Sequence, residues 1–205
     1  NDMGPTTYFV DGEETVKCIT MYYELDNELF LANDSSIDET MDWFTGVYNN
    51  MQTLYENDAI TIALNEVFIW ETPDPYQGSG GSSDYLNKFN QIRPVFPGDV
   101  GQMIGINDDS GGGVAATIGG LCSEDNYSYA GVNFAYANVP TYSWTIMVMT
   151  HEHGHVVGSR HTHACVWNGN NTAIDGCAGF VEGGCTLPPS PSEGGTIMSY
   201  CHLST

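Results

Sequence analysis

The apolar positions of this chain follow two different periods, and the changes between them outline its elements. Residues 16–24 are rich in β-branched, aromatic and Met residues, which predicts a buried strand. The spacing then switches: Ile37, Thr40, Met41, Phe44, Val47, Tyr48, Met51, Leu54 and Tyr55 recur three and four residues apart, as on one helix face. Ser36 with Glu39 offers a capping box at the start of that helix, and its acids lie at the positive end. Residues 58–70 predict a second strand through Ile60, Ile62, Leu64, Val67 and Ile69. A loop rich in Pro, Gly and Ser follows at 72–83, then a short helix at 84–92 and a strand at 100–106. The Gly-rich turn 110–113 leads into Val114, Ala115, Ala116, Thr117 and Ile118. A short strand at 131–136 and a helix at 142–157 complete the pattern.

After Gly158 the periodicity fades. The remaining residues hold Cys165, Cys177, Cys185 and Cys201, with Pro188, Pro189, Pro191 and many glycines. Such a segment cannot bury a core of its own, so disulfides or a bound ion must hold it. The expectation is one domain over residues 1–205, with an α/β lobe of about 1–157 and a small irregular lobe at 158–205.

Composition narrows the function. The chain has 205 residues, with 4 Lys plus Arg against 26 Asp plus Glu, a formal net charge of −22. Its 41% hydrophobic and 12% aromatic content marks a folded protein with an acidic surface rather than a disordered acidic tail. Lys17, Lys88, Arg93 and Arg160 are too few to build a phosphate-binding patch, which excludes nucleic-acid binding. Adhesion to anionic membranes is equally disfavoured, and no apolar run reaches the roughly 18 residues that span a bilayer. The N-terminal residues lack an export signal, so the protein is either not exported or has lost its signal. The six cysteines, even in number and without a Cys-x-x-Cys pair, favour three disulfides in an oxidising compartment, and hence a secreted protein.

The chemistry concentrates where the two lobes meet. His151 and His155 are four apart on a predicted helix, so both imidazoles leave one face at metal-chelating separation. Glu152 lies beside them as a general base that is not a ligand. Gly158 can end the helix in positive φ, which lets His161 return as a third ligand. Three neutral nitrogens leave one bound Zn²⁺ at full charge with a fourth position open to water, whose pKa can fall to about 7. Five such specified positions coincide by chance with a probability on the order of 10⁻⁵. His153 reads as packing or surface. His163 and His202 are the two side chains able to close the fourth position as a structural zinc site.

This arrangement, followed by a Met-containing turn at Gly195, Thr196, Ile197, Met198, Ser199 and Tyr200, is that of the metzincins. Within them the chain resembles the adamalysin (reprolysin) endopeptidases from about Lys17 to Cys201, and Gly154 matches that group's zinc helix. The resemblance implies an α/β, metzincin-like fold: a twisted mixed β-sheet with an antiparallel edge strand, packed helices that include the zinc helix, and a disulfide-braced C-terminal lobe. It implies that Met198 forms a floor beneath the zinc, and that Val114, Ala115, Ala116 and Thr117 are the edge strand that binds extended substrate. The pocket for the residue after the cut is then expected behind residues 187–197.

Several positions depart from that group. Thr162 stands where an Asp is usual after the third histidine, and the chain ends at Thr205, short of the group's C-terminal helix. That helix carries the partner of Cys122's counterpart, so by position Cys201 is the expected partner here. A local disulfide is expected among Cys165, Cys177 and Cys185. Tyr200 resembles the astacin and serralysin tyrosine that hydrogen-bonds the tetrahedral intermediate; the plainer reading is an aromatic packed on the turn. The group's calcium site has an acid where Thr20 falls, although Asp99 aligns with another of its ligands, so Ca²⁺ is left open without an assigned site. The expected function is a secreted, monomeric zinc endopeptidase acting on proteins or peptides, with those free of acidic clusters preferred. A catalytically silent adhesion module on the same fold is the alternative.

Overall fold

The computed structural model describes residues 18–106 and 112–203, so Lys17 and the first part of the turn at 110–113 lie outside the described residues. Five strands form one sheet: β1 (Cys18–Leu25), β2 (Thr61–Ile69), β3 (Val100–Gly105), β4 (Gly113–Ala115) and β5 (Tyr127–Gly131). Their order is β2-β1-β3-β5-β4. The first four run parallel, and β4 pairs antiparallel with β5 at the edge. The mixed sheet with an antiparallel edge strand is therefore the fold observed.

Both faces of the sheet are covered. Met21, Tyr23 and Leu25 of β1 pack beneath α2 (Ile37–Asn57) and α4 (Trp144–Val156), while Tyr22 packs with Tyr85, Leu86 and Phe89 of α3 (Ser82–Ile92). This burial on both sides is why the strand reads as a continuous apolar run and not an alternating one. Ser36 caps α2 as expected, its Oγ accepting from Glu39 N at 3.3 Å. One helix has no counterpart in the periodicity: α1 (Asn27–Ala32) is too short to show a period, and Asp26 caps it by accepting from Leu29 N at 2.7 Å.

Two strand assignments change. The strand expected at 131–136 lies instead at Tyr127–Gly131. Tyr127 and Tyr129 fill the α3 side, whereas Ser128 and Ala130 are small enough to admit α4 on the other. Phe134 and Tyr136 leave the sheet and contact the ring of Trp43 on α2, whose Nε1 donates to Phe134 O at 2.8 Å. The edge strand is also shorter than expected. Ala116 N still reaches Tyr127 O at 3.0 Å, but Thr117 lies past the strand. The chain turns there because Gly119 N and Leu121 N are drawn to His155 O and Val156 O, carbonyls at the end of α4 that need donors.

Residues 158–203 contain no α-helix or sheet strand, only isolated bridges and a 3₁₀ turn at Cys201–Leu203. Two disulfides brace them, Cys165–Cys185 and Cys177–Cys201. The first is the expected local bridge, but the expected Cys122–Cys201 pair does not form, and with Cys18 and Cys122 as exposed free thiols the chain holds two disulfides rather than the expected three. Helix α4 keeps Cys122 and Cys201 apart. Leu121 is tied to Val156 at its C-terminal end, whereas His202 packs on Trp144 at its N-terminal end. Those ends are separated by roughly 20 Å at 1.5 Å per residue. Among the described residues no helix is long and apolar enough to cross a membrane.

Candidate metal centre

Helix α4 is buried all round: every residue from Thr145 to Val156 is buried, with His151, Glu152 and His155 keeping only slight exposure. A helix of that kind carries no amphipathic stripe, and its register must come from polar anchors. Gln102 Nε2 donates to Met149 O at 3.2 Å, and the Tyr55 hydroxyl to Thr150 O at 3.1 Å. These fix the rotation that brings His151 and His155 to one side, their rings 4.7 Å apart and perpendicular. Gly158, at φ +112°, then reverses the chain, with Gly158 N on His155 O and Ser159 N on Gly154 O.

The reversal delivers His161 to the same point. One ring nitrogen each of His151, His155 and His161 lies within 4.8 Å of the others, and Nε2 of His155 is 3.1 Å from Nε2 of His161. Every Nδ1 of the three faces an oxygen: Ile197 O for His151 (2.8 Å), Ser159 O for His155 (2.8 Å) and Glu182 Oε1 for His161 (2.7 Å). Each Nδ1 must therefore carry the proton and donate, which leaves each Nε2 lone pair aimed inward. Burial pushes His151 down to about 4 and lowers His155, so both rings are neutral at pH 7. Three converging imidazoles with an approach of 3.1 Å fit a tetrahedral zinc, for which bonds of about 2.05 Å set ligand atoms roughly 3.3 Å apart.

Glu152 is buried on the sheet side of this cluster. Its carboxyl accepts a hydrogen bond from the Ala115 backbone, and a methyl group on Gly113 would come within 2.5 Å of its Cγ. Burial pushes this carboxyl up to about 8, against the effect of the Ala115 bond; a bound dication would oppose the rise. The edge strand thus sets the position of the acid as well as lying beside it.

Met198 lies directly under α4, where a methyl on Gly154 would come within 2.7 Å of its sulfur. Thr162, in place of the usual acid, is buried and donates from N to Met198 O at 3.1 Å, which couples the third histidine to this turn. The Tyr200 hydroxyl lies 3.2 Å from His161 Nε2 rather than on backbone. Burial, then the charges of Glu152 and Glu182, raise its pKa, so it remains a proton donor.

The other histidines separate from the cluster. His153 points into the core against Tyr23 with ring centroids 5.4 Å apart, and burial takes it down to about 3. His163 stacks on His161, with Nε2 3.3 Å from Glu182 Oε1. His202 packs between Tyr142 and Tyr200, so neither it nor His163 closes the fourth position. Asp99 Oδ2 takes two hydrogen bonds from Thr20, at 2.8 and 2.7 Å, and belongs to no cluster of metal-capable side chains among the described residues. A cleft of about 890 Å³ lies one turn along α4 from the histidines. Met147 and residues 193–197 line it, but Leu187 does not and is exposed. Glu182 and the two backbone carbonyls carry no local sequence signal, because their partners are distant or belong to the main chain.

Residues 15–204 match the family Reprolysin_5, metallo-peptidase family M12. A solved structure described as "Structure of a chaperone-substrate complex" is similar at 18% identity and a TM-score of 0.47, covering 70% of this chain. The match takes in 24% of that structure's own chain, and likeness at this level supports no inference.

Proposed function

The chain belongs to metallopeptidase family M12, and on that premise we propose that it is an extracellular zinc endopeptidase with His151, His155 and His161 as the metal ligands. The observation that carries this reading is the convergence of three imidazoles, each with Nδ1 on an oxygen, beside a buried carboxylate and an unpaired strand edge. Zinc bound there supplies Lewis acidity, polarising a carbonyl and easing deprotonation of water.

The rest falls to the chain's own residues. An extended polypeptide adds antiparallel to the free edge of β4, its main chain bonded to the outward-facing backbone groups of Gly113 and Ala115, since those of the alternate residues Val114 and Ala116 face β5. Glu152 Oε takes a proton from the attacking water as oxygen bonds to the scissile carbon. It then passes that proton to the leaving nitrogen, so one water is consumed and an acid and an amine are released. Tyr200 Oη donates to the oxygen that gains charge. Met198 is the packed floor that fixes α4 against the returning chain. The two disulfides, in an acidic chain of this size, support an extracellular setting.

Metal analysis combined with cleavage of casein, with and without chelator, tests the reading. The expected result is one zinc per chain, cleavage lost with chelator and restored by zinc, and a Glu152→Gln variant that keeps zinc but not turnover. Zinc retained without any cleavage would favour the silent binding module. Wild-type cleavage by Glu152→Gln would overturn the mechanism.

A further inference from the structure

The three histidines are not held alike. His151 and His155 give Nδ1–H to main-chain carbonyls, Ile197 O and Ser159 O, which no substitution removes. His161 alone gives it to a side chain, Glu182 Oε1 at 2.7 Å. His161 also lies in the part of the chain without helix or sheet, where no helical register fixes its ring. Its orientation therefore rests on where Glu182 is placed.

Glu182 is placed with care. Its N donates to His163 O at 3.0 Å, and its carbonyl accepts from Cys165 N at 2.9 Å, a parallel bridge that aligns the carboxylate with the segment just after His161. The Cys165–Cys185 disulfide closes the same two segments three residues further on. Gly183, at φ +127°, lets the chain pass against Cys165, where a methyl would come within 2.8 Å of its Cβ. His163 completes the clamp: stacked on His161 at 4.8 Å and 9°, and 3.3 Å from the same oxygen, it confines both the ring and the carboxylate. Trp167 Nε1 also donates to the main-chain His161 O at 2.8 Å, which ties down the backbone that carries the ring.

We propose that Glu182 is a positioning residue for the metal centre: it holds His161 in the Nδ1–H tautomer with Nε2 facing His151 and His155, and so sets how tightly the site retains its ion. The inference rests on the reading of the three histidines as ligands. Carboxylates that accept from a ligand imidazole raise its basicity and fix its plane, and their removal typically weakens metal binding 10- to 100-fold. The disulfide, on this view, serves the metal by holding the carboxylate.

The test uses the full chain and measures zinc affinity by competition with a chromophoric chelator, for wild type, Glu182→Gln and Glu182→Ala. The expected order is wild type, then Gln, which keeps an accepting oxygen but not the charge, then Ala, about 10- to 100-fold weaker than wild type. The thermal unfolding midpoint of each metal-free protein is taken alongside, since a carboxylate that merely braced the loop would lower that midpoint and leave the affinity of folded protein alone. Cobalt substitution adds a second readout, because a tilted third imidazole alters the visible absorption of the bound ion. Wild-type zinc affinity in both variants overturns the inference and leaves the metal reading intact. A wild-type chain that binds no zinc overturns both.

Discussion

The proposed metal centre is assembled from two regions built on different principles. Helix α4 sits in the packed core, and its two histidines inherit their geometry from helical spacing and from burial on every side. The segment after Gly158 lacks helical spacing and is buried only in places; its histidine, methionine and tyrosine are placed by a few specific contacts, among them the Thr162 to Met198 bond, the Glu182 carboxylate and two disulfides. A core tolerates the loss of one contact because neighbours share the load, whereas a segment held pointwise should lose its function before its fold.

That contrast is open to attack in order of expected effect. Replacing Cys165 and Cys185 together by Ser should cost about 3 kcal/mol. Zinc affinity should fall while the helical circular dichroism of α2 and α4 persists at low temperature. Loss of zinc only together with that signal would make the two regions one cooperative unit.

The next test lies on the core side. Gly113→Ala places a methyl within 2.5 Å of Glu152 Cγ and 2.7 Å of its Oε1, so the carboxylate must move. Turnover should drop about 100-fold, equivalent to about 2.7 kcal/mol, with zinc still stoichiometric. An unchanged kcat would mean that Glu152 finds its place without the edge strand.

The seam between the regions is tested by Gly154→Ala, whose methyl would lie within 2.7 Å of Met198 Sδ. Overpacking of this kind should lower stability by about 1–3 kcal/mol. Met198→Ala in the same chain should recover part of that loss, seen as non-additive thermal midpoints. Simple additivity would show that the two regions do not communicate through this contact.

The smallest effect is expected from Tyr200→Phe, which keeps the ring and removes only the hydroxyl near His161 Nε2. A kcat lowered about 10-fold, or about 1.4 kcal/mol, with KM and zinc content little changed assigns the hydroxyl to the transition state. Equal kcat values would leave it a packing residue.

The sequence by itself determined what is local or periodic. The α2 face, its Ser36 cap, the strand pattern of β1, β2 and β3, and the four-residue spacing of His151 and His155 all depend on neighbours within a turn or two. Tertiary structure decided what depends on partners far along the chain. β5 is a strand because β3 and β4 flank it, although its Tyr, Ser, Ala and Gly residues carry no strong apolar run. Cys201 pairs with Cys177 and not Cys122 because the length of α4 separates it from Cys122. Glu182 meets His161 across 21 positions of irregular chain, through backbone bonds that any sequence can make. Side-chain periodicity records which face of an element is buried, but it holds no record of which distant carboxylate a returning loop will bring to a ring nitrogen.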